Sequence, residues 1–255
     1  MSSIITISNQ KGGVGKTTTA VNLAACLADK RKKTLLIDID PQGNATSGVG
    51  SEKTTNGIYS VLIGSENIKD VIYDTEIKHL KVVPSCVELA GVEIELAGSE
   101  EKEFILKKQL TTVKDDYDYI IIDCPPSLNI LTINALATSD SVLVPMQCEY
   151  YALEGISQLL YTVNLVRERI NDKLEIEGIL FTMFDTRTNL ANEVINSVKD
   201  NLEEYIFKTT IPRNVRLAEA PSYGKPIIIY DKKSSGADAY RSLAKEIIKK
   251  RRKFW

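Results

Sequence analysis

The sequence predicts a doubly wound, mainly parallel α/β sheet with helices on both faces. Three observations carry that expectation. Short, nearly continuous apolar runs rich in β-branched residues alternate with segments of helical apolar spacing. A glycine-rich turn joins the first run to the first helical segment, and two later runs end in aspartate, at the strand ends where such sheets place ligand loops.

Ile4-Ile5-Thr6-Ile7 forms the first predicted strand and residues 34–37 the second, with a helix over 17–29 carrying Ala20, Leu23, Ala24 and Leu27 on one face. Further strands are expected over 80–83, 119–123, 141–144, 176–182 and 227–230, and helices over 101–113, 128–137, 153–170 and 190–202. Residues 51–81 carry no interpretable motif, and His79, the single histidine, reads as a surface residue. Without repeats, low-complexity stretches or linkers, residues 1–255 read as one domain.

Composition narrows the function classes. The 255 residues hold 32 Lys+Arg against 34 Asp+Glu, a formal charge of −2, which argues against a wholly basic nucleic-acid coat but leaves room for a local basic patch. With 43% hydrophobic and 26% charged residues, the chain is ordinary for a globular protein and excludes disordered and collagenous classes. The longest apolar run, 23–28, has six residues, where a membrane span needs roughly 18. Met1-Ser2-Ser3-Ile4 lacks the basic-then-apolar layout of a secretory leader, so a cytoplasmic location is expected. Cys26, Cys86, Cys124 and Cys148 form no C-x-x-C pair and read as small buried hydrophobes.

The strongest chemical signal is Lys11-Gly12-Gly13-Val14-Gly15-Lys16-Thr17-Thr18, between the first strand and first helix. Glycines let the backbone curl so that its N–H groups surround phosphate oxygens, and the helix N-terminus adds a favourable dipole. Lys16 would reach the β- and γ-phosphates and the Thr17 hydroxyl would hold Mg²⁺. Gln10 stands where the general phosphate-loop pattern has its first glycine, and Lys11 follows it. That K-G-G-x-G-K-T form resembles the deviant Walker A motif of the ParA/MinD family of ATPases.

The resemblance implies a P-loop ATPase that uses ATP and Mg²⁺ and closes as a homodimer around two nucleotides. Lys11 would then be the lysine that reaches the partner's phosphates; the alternative is a plain surface lysine. Asp38-Ile39-Asp40-Pro41-Gln42-Gly43-Asn44 is similar to the family's switch I, in which Asp40 orients or activates the attacking water and Asp38 assists the magnesium shell or the loop. Both acids could instead cap the turn before Pro41. Ile120-Ile121-Ile122-Asp123-Cys124-Pro125-Pro126 resembles Walker B and switch II, with Asp123 holding Mg²⁺ through water.

Two later stretches, 145–155 and 211–221, are similar to Soj-type chromosome-partitioning members of the family. Glu149 would approach a ribose across the dimer or cap the next helix. Pro212 and Asn214 would surround adenine or form a rigid loop. Arg187 and Arg216 match arginines that contribute to non-specific DNA binding, unless they pair with carboxylates such as Glu219 or Asp185. The implied activity is slow, partner-stimulated ATP hydrolysis that drives segregation of chromosome or plasmid DNA on the nucleoid, with double-stranded DNA and a ParB-like protein as partners.

The rival reading is a MinD-like membrane-positioning ATPase. The stripe Tyr240, Leu243, Ala244, Ile247 and Ile248 precedes Lys249-Lys250-Arg251-Arg252-Lys253-Phe254-Trp255, a basic tail that could meet an anionic bilayer or DNA. The plainer expectation is core packing for the stripe and a helix C-terminus for the cations, so membrane contact is not expected. An iron–sulfur reductase would need paired ligating cysteines, which the spacing does not supply.

Overall fold

The computed structural model describes residues 2–149, 152–185, 198, 199, 202 and 205–251, and the backbone alone for 152–159. Seven strands form one sheet in the order β3-β4-β2-β5-β1-β6-β7. They are β1 Ser3–Ile7, β2 Thr34–Asp38, β3 Tyr73–Asp74, β4 Leu80–Val83, β5 Tyr119–Asp123, β6 Ser141–Gln147 and β7 Glu175–Thr182. Every pairing is parallel except β3 with β4. That sheet matches the expected doubly wound class.

The central strands read as unbroken apolar runs because both faces are covered. Ile5, Ile7, Leu36 and Ile121 point to one face, under helices α1 Lys16–Asp29 and the C-terminal Ser235–Arg251. Ile4, Leu35, Ile37, Ile120 and Ile122 alternate to the other, under helical segments that include Ile58–Leu62, Ile105–Leu110 and Ile130–Thr138. A third cluster joins β6 and β7 to Val163 and Val166 of the helix Ala152–Arg169.

Several boundaries differ from the sequence reading, each for a local reason. The helix expected over 128–137 starts at Ile130, because the Asn129 side chain caps it by accepting from Leu131 and Thr132 N–H. The segment 101–113 is a 3-10 turn, Lys102–Phe104, then Ile105–Leu110, opened by Glu101 at φ 51°. β6 runs on through Pro145 to Gln147. Its β1-side ladder stops at Leu143, so proline's missing donor is not needed there, and Asn9 Nδ2 donates to the Pro145 carbonyl at 2.8 Å.

The strand expected over 227–230 is the clearest correction: Ile227–Tyr230 is a helical turn. Its β-branched run suits a strand, but Ile227 N–H donates to Asn22 Oδ1 of α1 at 2.7 Å, and Asp231 N–H returns to the Ile227 carbonyl. Ile227 and Ile228 are buried against α1's side of the core, so packing overrides propensity. The helix expected over 190–202 lies largely outside the described residues.

Candidate nucleotide site

The carboxyl ends of β1, β2, β5 and β6 converge on the loop that follows β1. Gly13 and Gly15 take φ of 74° and 86°, left-handed values that a β-carbon would strain. Gly15 opens α1 with no side-chain cap, which leaves the helix's first N–H groups to a ligand.

Neighbouring strands fix the loop's carbonyls. Thr182 Oγ1 donates to Val14 O at 2.8 Å and Gln147 Nε2 to Gly13 O at 2.8 Å. Asn9 Oδ1 accepts from Lys11 N–H at 3.0 Å. None of these three supports was singled out from sequence. Thr182 and Gln147 do end β7 and β6, and the rule that pointed to Asp38 and Asp123 as strand-end residues would have pointed to them as well.

Lys16 Nζ donates to the Lys11 carbonyl at 3.0 Å. Burial lowers its pKa, while Asp123 and Asp40 oppose the shift, so the ammonium sits among acids. Lys11 forms an ion pair with Glu149, with both side chains about half exposed. The structure therefore brings Lys11 and Glu149 together within one chain.

The three aspartates differ in how they are satisfied. Asp38 is fully buried; its Oδ2 accepts from Thr46 N–H and Thr46 Oγ1, both at 2.7 Å, and its Oδ1 from Asp40 N–H at 3.2 Å. Burial pushes its carboxyl up to about 6 against those bonds. Its hydrogen bonds make Asp38 a fastener of the loop that leads into the short helix Asn44–Gly48. Asp40 Oδ1 accepts from Gln42 N–H at 2.9 Å, and Ser85 Oγ donates to its carbonyl at 2.5 Å.

Asp123 is different. It faces Asp38 across the β2–β5 register, it is fully buried, and among the described residues neither carboxylate oxygen has a hydrogen-bond partner of good geometry. Burial and then the Asp38 charge push its pKa well above the usual carboxylate range, while the nearby Thr17 hydroxyl and Lys16 favour the ionised form. A buried carboxyl whose charge the fold leaves uncompensated, beside a threonine hydroxyl, suits a hard divalent cation with its water shell.

A cavity of about 220 Å³ lies beside the loop, lined by Gly15, Thr18, Met183, Pro212, Asn214 and Tyr240 among others. It brings Pro212 and Asn214 to the start of α1. Asn214 also caps the short helix Val215–Glu219, accepting from Arg216 N–H at 2.8 Å and donating to Ser235 Oγ at 2.8 Å.

Arg216 donates to Glu219 Oε2 at 2.8 Å, with Asp231 Oδ2 at 3.6 Å. The carboxylate pairing weighed from sequence is present. Arg187 lies outside the described residues. In the C-terminal helix, Tyr240, Leu243, Ala244 and Ile247 are buried. Lys250 pairs with Glu177 at 3.9 Å, and Arg251 donates to the Asp118 carbonyl at 2.6 Å while stacking over the Tyr119 ring. No helix among the described residues is long and apolar enough to cross a membrane. Cys26, Cys86 and Cys124 are buried free thiols, and Cys148 is half-buried.

A glycine loop between strand and uncapped helix, with a lysine inside it and aspartates ending the paired strands β2 and β5, defines a P-loop nucleoside triphosphatase. A family model described as an AAA domain matches residues 2–176. The chain is 58% identical over 249 residues to the sporulation initiation inhibitor protein Soj of Bacillus subtilis, covering 97% of this chain and 98% of that one. It is 51% identical over 240 residues to the chromosome-partitioning ATPase Soj of Treponema pallidum, covering 94% of each. Among solved structures, cobyrinic acid a,c-diamide synthase from Mycobacterium smegmatis with a bound ATP analogue and magnesium superposes with a TM-score of 0.87 at 33% identity, covering 100% of this chain and 98% of that one. The chain belongs to the Soj/ParA family of ATPases.

Proposed function

We propose that this ATPase partitions chromosome or plasmid DNA through a nucleotide-driven cycle. ATP closes a homodimer, the dimer binds double-stranded DNA without sequence preference, and a ParB-like partner stimulates hydrolysis and release. The observation that carries the reading is the convergence of Lys11, Lys16, Asp40 and the unpartnered Asp123 on one phosphate loop.

In this reading the first-turn N–H groups of α1 and Lys16 hold the phosphates, and Pro212 and Asn214 flank the base. Asp40 orients the attacking water and accepts its proton. Thr17 and Asp123 hold Mg²⁺, the latter through water, with Asp38 behind them fixing the loop. Bound Mg²⁺ neutralises charge on the β- and γ-phosphates. Lys11 exchanges Glu149 for the partner subunit's phosphates, a second cation where charge develops, and Glu149 is then free to approach a ribose across the dimer.

Arg187 and Arg216 supply phosphate contacts for DNA. Two such arginines bind feebly in one subunit; pairing subunits doubles the contacts, so ATP switches DNA affinity on. The membrane alternative rests on the basic tail. The inward turn of Lys250 and Arg251 favours the packing role for the described part of that segment.

Co-sedimentation with plasmid DNA, and separately with anionic liposomes, in ATP or ADP at two salt concentrations tests the reading. ATP-dependent DNA binding that weakens steeply with salt and is impaired in Arg216→Ala supports it. Liposome binding lost on removing residues 249–255, with no DNA binding, would transfer the protein to the membrane-positioning class.

A further inference from the structure

Between Arg213 and Arg241 the chain carries six cations, Arg213, Arg216, Lys225, Lys232, Lys233 and Arg241, against three carboxylates, Glu219, Asp231 and Asp238. All three carboxylates are engaged by arginine: Asp238 by Arg241 at 3.1 Å, and Glu219 and Asp231 by the single guanidinium of Arg216. The arginine proposed to meet DNA is therefore the most heavily countered cation of this basic segment.

Glu219 is also held from behind. Tyr230 Oη donates to the same Oε2 that accepts from Arg216, at 3.1 Å, and Tyr223 stacks on Tyr230 with ring centroids 5.0 Å apart. A carboxylate fixed in this way gives up little further freedom in its ion pair, unlike two loose surface side chains. Asp231 stands farther from the guanidinium, its Oδ2 at 3.6 Å, while its Oδ1 accepts from Lys233 N–H at 3.2 Å. Arg216 remains more than half exposed, so an incoming phosphate can reach it, but only in competition with Glu219.

We infer that Glu219 is a positioning residue that acts as an internal competitor of DNA phosphate for Arg216, setting the DNA affinity of the nucleotide-bound dimer. This inference rests on the DNA-binding reading of Arg216 above. The pair reduces the fraction of Arg216 free for phosphate, and apparent affinity falls by that fraction. An exposed but well-held ion pair corresponds to about a two- to fourfold reduction per subunit. Two arginines engaging one duplex together give roughly four- to fifteenfold.

The test is a double-mutant cycle read by fluorescence anisotropy on a labelled DNA duplex, with ATP and at low salt, where residual binding of weakened variants is measurable. Wild type, Glu219→Gln, Arg216→Ala and the double variant are compared, after circular dichroism and nucleotide binding show each to be folded. Glu219→Gln should tighten binding by roughly four- to fifteenfold, and the gain should vanish on the Arg216→Ala background. An equal gain on both backgrounds would reduce Glu219 to a general surface charge and overturn the inference. Weaker binding by Glu219→Gln would also overturn it, since Glu219 would then be orienting Arg216 toward DNA. If Arg216→Ala alone binds like wild type, the DNA role of Arg216 fails instead, a result separable from both.

Discussion

Thr182 offers a sharp test of how the phosphate loop is held. Its hydroxyl donates to Val14 O at 2.8 Å and lies 3.2 Å from Met146 O, in a side chain only 2% exposed. Its Cβ and Cγ2 sit 3.8 Å from where a β-carbon on Gly15 would stand, so the same residue borders the turn into α1. Thr182→Val keeps the shape and the strand preference but leaves the buried Val14 carbonyl without this donor. A buried acceptor left unsatisfied costs about 1–3 kcal/mol. In a chain of this size that corresponds to roughly 2–12 °C in thermal midpoint. Because the loss falls on the phosphate loop, ATP affinity should drop by up to about tenfold for each 1.4 kcal/mol that reaches the binding equilibrium. Thr182→Ser, which retains the donor, should recover most of the affinity. Thermal melts with and without MgATP, together with nucleotide titration, measure both quantities. Thr182→Val with wild-type midpoint and wild-type affinity would refute the claim that β7 holds the loop.

Lys16→Ala should weaken ATP binding at least about tenfold, since it removes a charge-assisted contact to phosphate; isothermal titration measures this, and unchanged affinity would remove Lys16 from the site. Asp40→Ala should keep ATP binding but slow turnover by roughly 10²–10⁴-fold and accumulate the dimer, as seen by phosphate release and size exclusion. Normal turnover there would end the role assigned to Asp40. A β-carbon on Gly12 would meet nothing within 4 Å inside this chain. Gly12→Val should therefore leave the monomer's melting unchanged while abolishing the proposed ATP-dependent dimer, in which backbones would crowd the phosphates. A normal dimer would place Gly12 outside the interface.

The sheet was legible because its strands are buried on both faces and so spell out apolar runs, and because strand ends and the glycine turn mark where ligands bind. Ile227–Tyr230 was misread for the same reason: β-branched residues look alike whether they meet a neighbouring strand or, as here, a helix carrying Asn22. Pro145 hid the last three residues of β6, since its tolerance depends on β1 having already turned away into the phosphate loop. Within the site, charged groups were visible as residue types, but their division of labour was not. Asp38 and Asp123 both end strands; only the fold shows that Thr46 satisfies the first and leaves the second bare. The supports from Thr182, Gln147 and Asn9 depend on neighbours 2 to 168 positions away, and only the short-range one could have been seen locally.

That bare carboxylate sets stability against function. Asp123 is buried beside Asp38 and, among the described residues, has the Thr17 hydroxyl nearby but no hydrogen bond of good geometry on either oxygen, an arrangement that weakens the ligand-free fold by about 1–3 kcal/mol. Asp123→Asn removes the repulsion and supplies a donor on the side that faces Asp38 in register. The ligand-free thermal midpoint should therefore rise, by roughly 3–6 °C for a gain of about 1.5 kcal/mol. The nucleotide response should move the other way. With MgATP at about 100 times its Kd, the wild-type protein gains about 2.7 kcal/mol from binding. Asp123→Asn, lacking the negative charge that a divalent cation needs, should lose most of that magnesium-dependent part while still responding to ATP in EDTA. A raised ligand-free midpoint with a diminished Mg²⁺ response is the signature of a residue kept for its ligand at a cost to the fold. A lowered midpoint, or an undiminished Mg²⁺ response, would mean that Asp123 is structural and that the cation is held by other groups.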